Sequence, residues 1–156
     1  GNSSRIHSFT LKHPIRVPFK SEYGDSKLRI PLFADSDVQQ FDQFVLRGSS
    51  TDSWPVRDGN FVMDVQRWHP DHATYIRDQW MRDTQLAMGQ LSAHGTYVHL
   101  YLNGLYWGQY NVAERPTDSF NADYLGGNKD EYDVLKDFAE VQSGNKDAWN
   151  QMAEGG

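Results

Sequence analysis

Cysteine is absent from the 156 residues, which excludes a disulfide framework and any thiolate metal site and says little about compartment. No apolar run approaches the roughly 20 residues that a membrane span needs, so no membrane span is expected. Positive charge is scarce: 15 Lys and Arg face 21 Asp and Glu, for a net charge of −6. A nucleic-acid partner therefore gains no electrostatic support, although a few placed cations can hold a phosphate even in an acidic protein. Repeats and low-complexity segments are missing. So is the Gly-x-Ser-x-Gly of a nucleophile-elbow hydrolase.

What is present argues for a folded domain with a core, since 38% of the residues are hydrophobic and 13% aromatic. The most informative stretch is Tyr97 to Arg115. Two runs of β-formers flank Asn103-Gly104, the dipeptide that suits a type I′ turn because both positions need φ > 0. Counting outward pairs Leu102 with Leu105, Leu100 with Trp107 and Val98 with Gln109 on an apolar face. On the other face Tyr101 meets Tyr106, His99 meets Gly108 and Tyr97 meets Tyr110.

The rest of the chain reads as α+β. Ile15 to Lys20 alternates as a strand that Pro14 and Pro18 make irregular. Short extended pieces follow at Leu28 to Phe33 and Phe41 to Arg47. Residues 51–70 show no sustained period, only scattered aromatics. Asp71 is the expected N-cap of a helix over 72–88, with Gly89 its stop. Ala73, Ile76, Trp80 and Ala87 form a stripe expected to lie on the aliphatic hairpin face. A short helix over Ser119 to Leu125, a strand over Tyr132 to Leu135 and a helix over Lys146 to Glu154 complete the pattern. The start at Gly1 and the stop on Gly155-Gly156 suggest a piece of a longer protein.

Other constellations are better explained structurally. His69-Pro70-Asp71-His72 lacks the spacing of a helical zinc motif, and no metal site is assigned. The acidic run Asp130, Glu131, Asp133, Asp137 fails the calcium-loop pattern.

The run His99-Leu-Tyr-Leu-Asn-Gly-Leu-Tyr-Trp-Gly-Gln-Tyr-Asn-Val-Ala-Glu-Arg115 resembles the signature of the CotH family, the spore-coat-protein-H-like atypical protein kinases. The likeness extends to Arg47, to Ile76-Arg77-Asp78 and to Tyr132-Asp133-Val134-Leu135. Val-Ala-Ile-Lys and His-Arg-Asp of ordinary protein kinases are absent, so the likeness is to the atypical family alone. It implies a kinase-like N-lobe over 1–115, an antiparallel sheet packed by one main helix, with 116–156 beginning a second lobe.

The resemblance also implies a set of site residues. Gly1, Asn2, Ser3, Ser4 and Arg5 match the family's phosphate-binding loop, and Lys12 takes the part of the N-lobe lysine, although His13 stands where relatives often have a second lysine. Asp78 is the expected acid partner of that lysine. Val112, Glu114 and Arg115, leaving the hairpin, are expected on the adenine side. Lys12 and Glu114 would then stand on two walls of one cleft. The implied cofactors are ATP and Mg or another divalent ion, the partner a protein Ser/Thr hydroxyl, and the location spore coat, cell surface or otherwise extracytoplasmic. Catalytic carboxylates are expected outside this segment, which alone would be inactive. The alternative is a non-catalytic carbohydrate- or protein-binding module that uses the hairpin's tyrosines and Trp107.

Overall fold

The computed structural model describes residues 12–49, 52–53, 72–137 and 139–154. The opening loop Gly1 to Arg5 and the expected cap Asp71 lie outside them. The architecture is α+β, with antiparallel sheets and three helices. Two units divide the chain, Gly1–Glu114 and Arg115–Gly156.

In the first unit, four antiparallel strands form the main sheet. They are β1 (Ile15–Pro18), β4 (Gln43–Arg47), β6 (Leu105–Glu114) and β5 (Gly95–Leu102), in that spatial order. A two-stranded ribbon of β2 (Leu28–Arg29) and β3 (Gln40–Phe41) lies between β1 and β4 in sequence. The expected strand over Phe41 to Arg47 is interrupted at Asp42, whose carbonyl accepts from the Phe19 amide at 2.8 Å.

The hairpin turn forms at Asn103 and Gly104, with φ of 50° and 81°, and the first two pairs follow the count, Leu102 with Leu105 and Tyr101 with Tyr106. Then the register departs from expectation. Leu100 pairs with Gly108, Val98 with Tyr110 and Tyr97 with Asn111. Trp107 is the extra residue of a β-bulge, and Gly108 at φ 122° supplies a backbone conformation that a side chain would resist. Because side chains alternate, a one-residue slip inverts every later position of β6. Tyr110 leaves the phenol face and becomes a core residue, 1% exposed.

That inversion builds the core. Phe33, Phe41, Leu46, Tyr110 and Val112 are buried together, with Ile15, Val17, Leu32, Val38, Phe44, Val98 and Leu100 packed around them. Phe33 and Phe41 meet edge to face, ring centroids 5.5 Å apart. Fully burying one such ring contributes about 1.5–3 kcal/mol.

The helix expectation needs correction. α1 runs Arg77–Ala87, not from 72. Tyr75 has φ 63°, outside helical space, and the Asp52 carboxylate accepts from the amides of Thr74 at 2.8 Å and Arg77 at 3.3 Å. The capping acid thus comes from a distant loop. Gly89 follows at φ 76° and its amide donates to Leu86 O. The apolar stripe does not face the hairpin's aliphatic side, which Phe33, Phe41, Leu32 and Val38 cover. No residue of α1 is buried, and Trp80 and Met88 are 62% and 72% exposed. α1 instead meets the opposite face of the sheet, through polar side chains described below.

The second unit holds α2 (Asp118–Leu125), a 3-10 turn (Lys129–Glu131), the hairpin of β7 (Val134–Lys136) and β8 (Glu140–Ser143), and α3 (Asp147–Glu154). The Thr117 side chain caps α2 by accepting from the Phe120 amide. β8 was not foreseen, because Ala139 and Glu140 carry no alternating apolar signal. Among the described residues no helix is long and apolar enough to cross a membrane.

Candidate functional site

The polar chemistry of the first unit collects where β4 ends and α1 begins. Arg47 is the last residue of β4 and lies directly opposite Asn111 of β6. Asp78, in the first turn of α1, forms an ion pair with the Arg47 guanidinium. Both side chains are about half exposed, so the pair is worth up to roughly 1 kcal/mol to stability. Its significance lies in orientation. It orients a guanidinium in the lining of an open groove of about 500 Å³, which Asp78, Met81, Arg82, Gln85 and Met88 also line.

One helical turn on, Arg82 donates to Asn111 Oδ1 at 2.5 Å and to Gln79 Oε1 at 2.7 Å. The Asn111 amide donates in turn to Gln79 Oε1 at 2.8 Å and to the Thr96 carbonyl at 3.2 Å. Asn111 is 2% exposed, so this polar contact is made away from water, where an unmade hydrogen bond costs most. Burial pushes the Arg82 guanidinium below its ordinary value, as does the like charge of Arg47, while Asp78 and Asp83 oppose them. It remains a cation at any physiological pH. Gly95 lets helix side chains approach the sheet: a Cβ there would meet Gln79 Oε1, Arg82 Nη2 and the Val112 carbonyl.

Lys12 occupies the end of the sheet. Its ammonium donates to the Tyr75 hydroxyl and to the Gln109 carbonyl, on the part of β6 that runs past the last β4 pair. It also stands 4.3 Å from the Tyr75 ring centroid and 4.7 Å from that of Tyr110. Burial holds the Lys12 amine below its usual value and raises the Tyr75 phenol. Tyr75 also donates to Gln109 O at 2.6 Å, and its own carbonyl accepts from Tyr97 at 2.7 Å. A buried aromatic at positive φ, held by this many contacts, marks a stressed joint where the chain enters α1.

The expected site residues are therefore separated. Asp78 is bonded to Arg47 rather than to Lys12. Val112 is a core residue whose backbone lies in the ladder between Leu46 and Thr96. Glu114 is buried, its carboxylate accepting from the His94 amide at 2.8 Å and lying 3.0 Å from His94 Nδ1. Lys12 and Glu114 are not brought together: one caps the backbone at Gln109, the other faces the core five positions along β6, roughly 17 Å at the rise of a strand. The separation runs along the strand, and the bulge at Trp107 has in addition turned Glu114 inward with Tyr110 and Val112. Arg115 opens the second unit, its guanidinium 3.5 Å from Gln142 Oε1. Gly1, Asn2, Ser3, Ser4 and Arg5 lie outside the described residues.

Sequence reasoning did not assign Arg47, Tyr75, Arg82 or Asn111 to the site. Arg47 was legible as the cation closing the strand before the helix. The other three depend on the bulge and on the φ of Tyr75, which no periodicity reveals. Among the described residues no group of three or more His, Asp or Glu converges as metal ligands.

Comparison with known proteins gives one family. Residues 1–154 match the family model described as CotH kinase protein. No curated protein and no solved structure matches the chain. With a match over essentially its whole length, the chain belongs to the CotH family.

Proposed function

We propose that this chain is the nucleotide-holding part of a CotH-type protein kinase that moves the γ-phosphate of ATP to a Ser or Thr hydroxyl of a protein. The observation that carries the reading is the ion pair of Arg47 and Asp78. Protein kinases place a cation on the strand before the regulatory helix and pair it with an acid on that helix, so that the cation meets the nucleotide phosphates. Here the strand is β4, the cation Arg47, the helix α1 and the acid Asp78. Arginine suits the role through its permanent charge and planar donors.

Phosphoryl transfer is mainly positioning and charge neutralisation. Arg47 supplies fixed positive charge, Asp78 orients it, and the groove beside α1 leaves the guanidinium approachable. Lys12 is anchored on Gln109 and beside two rings, and family likeness assigns the phosphate loop to Gly1–Arg5, earlier in the chain. A divalent ion would neutralise phosphate charge when bound, but no acid cluster among the described residues fits it. Spore-coat or surface location follows the family name as part of the same proposal.

The test is transfer from γ-labelled ATP to a protein acceptor by the full natural chain, followed by phosphoamino-acid analysis. Label on Ser or Thr that falls at least about tenfold with Arg47→Met supports the reading. Undiminished transfer by that variant removes Arg47 from it.

A second reading has one observation in its favour. Residues 97–110 carry no Asp, Glu, Lys or Arg, and Tyr101, Tyr106 and Trp107 are all more than half exposed. Such a tip suits a neutral saccharide stacked on rings. Glycan-array binding lost with Tyr101→Ala and Tyr106→Ala would favour it.

A further inference from the structure

We propose that Arg82 is a positioning residue, the pin of a polar latch whose seating on Asn111 decides whether Asp78 reaches Arg47. The proposal rests on the reading of Arg47 and Asp78 given above, and extends it from the pair to what controls the pair.

Geometry makes the two contacts one unit. Asp78 and Arg82 are four residues apart on α1, hence neighbours on one helix face about 5–6 Å apart. Their partners, Arg47 and Asn111, are directly opposed across β4 and β6, about 5 Å apart. Two helix side chains one turn apart thus meet two cross-strand neighbours, Asp78 on Arg47 and Arg82 on Asn111. Rotation or a one-turn slip of α1 would break both contacts together.

The helix lacks the usual means of staying in place. None of its residues is buried, and Ile76, Trp80, Met81 and Met88 point their apolar surface away from the core. Among the described residues its middle is held on the sheet by the Gln79–Arg82–Asn111 network, with Gly95 leaving room for it, and its start by Asp52. Arg82 Nε is buried without a hydrogen-bond partner among the described residues, a cost that the seated state carries and an unseated Arg82 would escape into water. A helix held by a few polar bonds over a residual desolvation penalty opens more readily than one packed into a core. A ligand that engages Arg47 in the seated state alone would shift the population toward it.

The experiment combines hydrogen exchange of the full natural chain with calorimetric titration of Mg-ATP, for wild type, Arg82→Lys, Arg82→Met, Arg47→Met and the double variant Arg82→Met/Arg47→Met. Faster exchange of the amides of residues 77–87 in Arg82→Met, with those of 110–113 unchanged and Arg82→Lys intermediate, is the expected result. Nucleotide affinity should fall at least about fivefold in Arg82→Met but no further in the double variant than in Arg47→Met, the signature of action through the pair. Wild-type exchange of α1 in Arg82→Met, or fold-losses that multiply in the double variant, would overturn the proposal. If Arg82→Met also frees the 110–113 amides, Arg82→Lys alone decides, by whether it loosens α1. If wild type binds no nucleotide, the kinase reading fails, and the exchange of α1 still decides whether the latch exists.

Discussion

At the scale of single residues, the account turns on side chains that do two jobs. Tyr75 satisfies Gln109, beyond the last β4 pair of β6, through its hydroxyl and anchors Tyr97 through its carbonyl. Burial raises its phenol above the ordinary value near 10, with smaller contributions from neighbouring phenols. A folded-state value above the unfolded one means that the unfolded chain loses its proton first. The stability involved is therefore complete below about pH 10 and is lost as pH climbs toward the folded value. Lys12 acts in the opposite sense, since burial lowers its folded value and the folded state gains as pH rises toward 10.5. Tyr75→Phe should therefore flatten the alkaline loss of stability, read as urea midpoints between about pH 9 and 11. An unchanged slope would remove Tyr75 from the account. Gly95→Ala should push the tips of Gln79 and Arg82 off Asn111 and cost about 1–3 kcal/mol by urea denaturation.

At the scale of elements, the bulge at Trp107 decides more than any single side chain. Asn103-Gly104 made the turn readable, and the first two pairs followed from it. Nothing in alternating hydrophobicity announces a bulge, because Leu-Tyr-Trp-Gly-Gln-Tyr can be laid down in either register with apolar residues on both faces. Gly108 was the one local hint, a glycine within a strand pattern. Gly108→Ala should be strained at φ 122° and destabilise the domain by about 1–3 kcal/mol in thermal or urea unfolding. An unaffected midpoint would mean that β6 does not depend on this conformation. The helix was legible as an element, together with its stop at Gly89, but not in its facing. Its apolar residues suggested a buried stripe, whereas the core side of the sheet had already been claimed by Phe33 and Phe41. What remained for α1 was the side bearing Asn111 and Arg47, which it meets through polar side chains.

At the scale of the whole molecule, the α+β class, the absence of a spanning helix among the described residues and the family were all within reach of the sequence. The site was less so. Lys12 and Glu114 were expected to face one another, and the structure separates them along β6, with Lys12 at Gln109 and Glu114 turned toward His94. Arg47 and Asp78, thirty-one positions apart in sequence, could be joined only once α1 was seen to lie across the end of β4. This pair, and not the Lys12–Asp78 pair that the sequence suggested, is the one proposed to present fixed positive charge to a nucleotide. Calorimetric titration of Mg-ATP into the full natural chain and its Arg47→Met variant tests it most directly. Saturable binding should weaken at least about tenfold, or roughly 1.4 kcal/mol, in the variant. Equal affinity in the two proteins, or no binding to either, would contradict it.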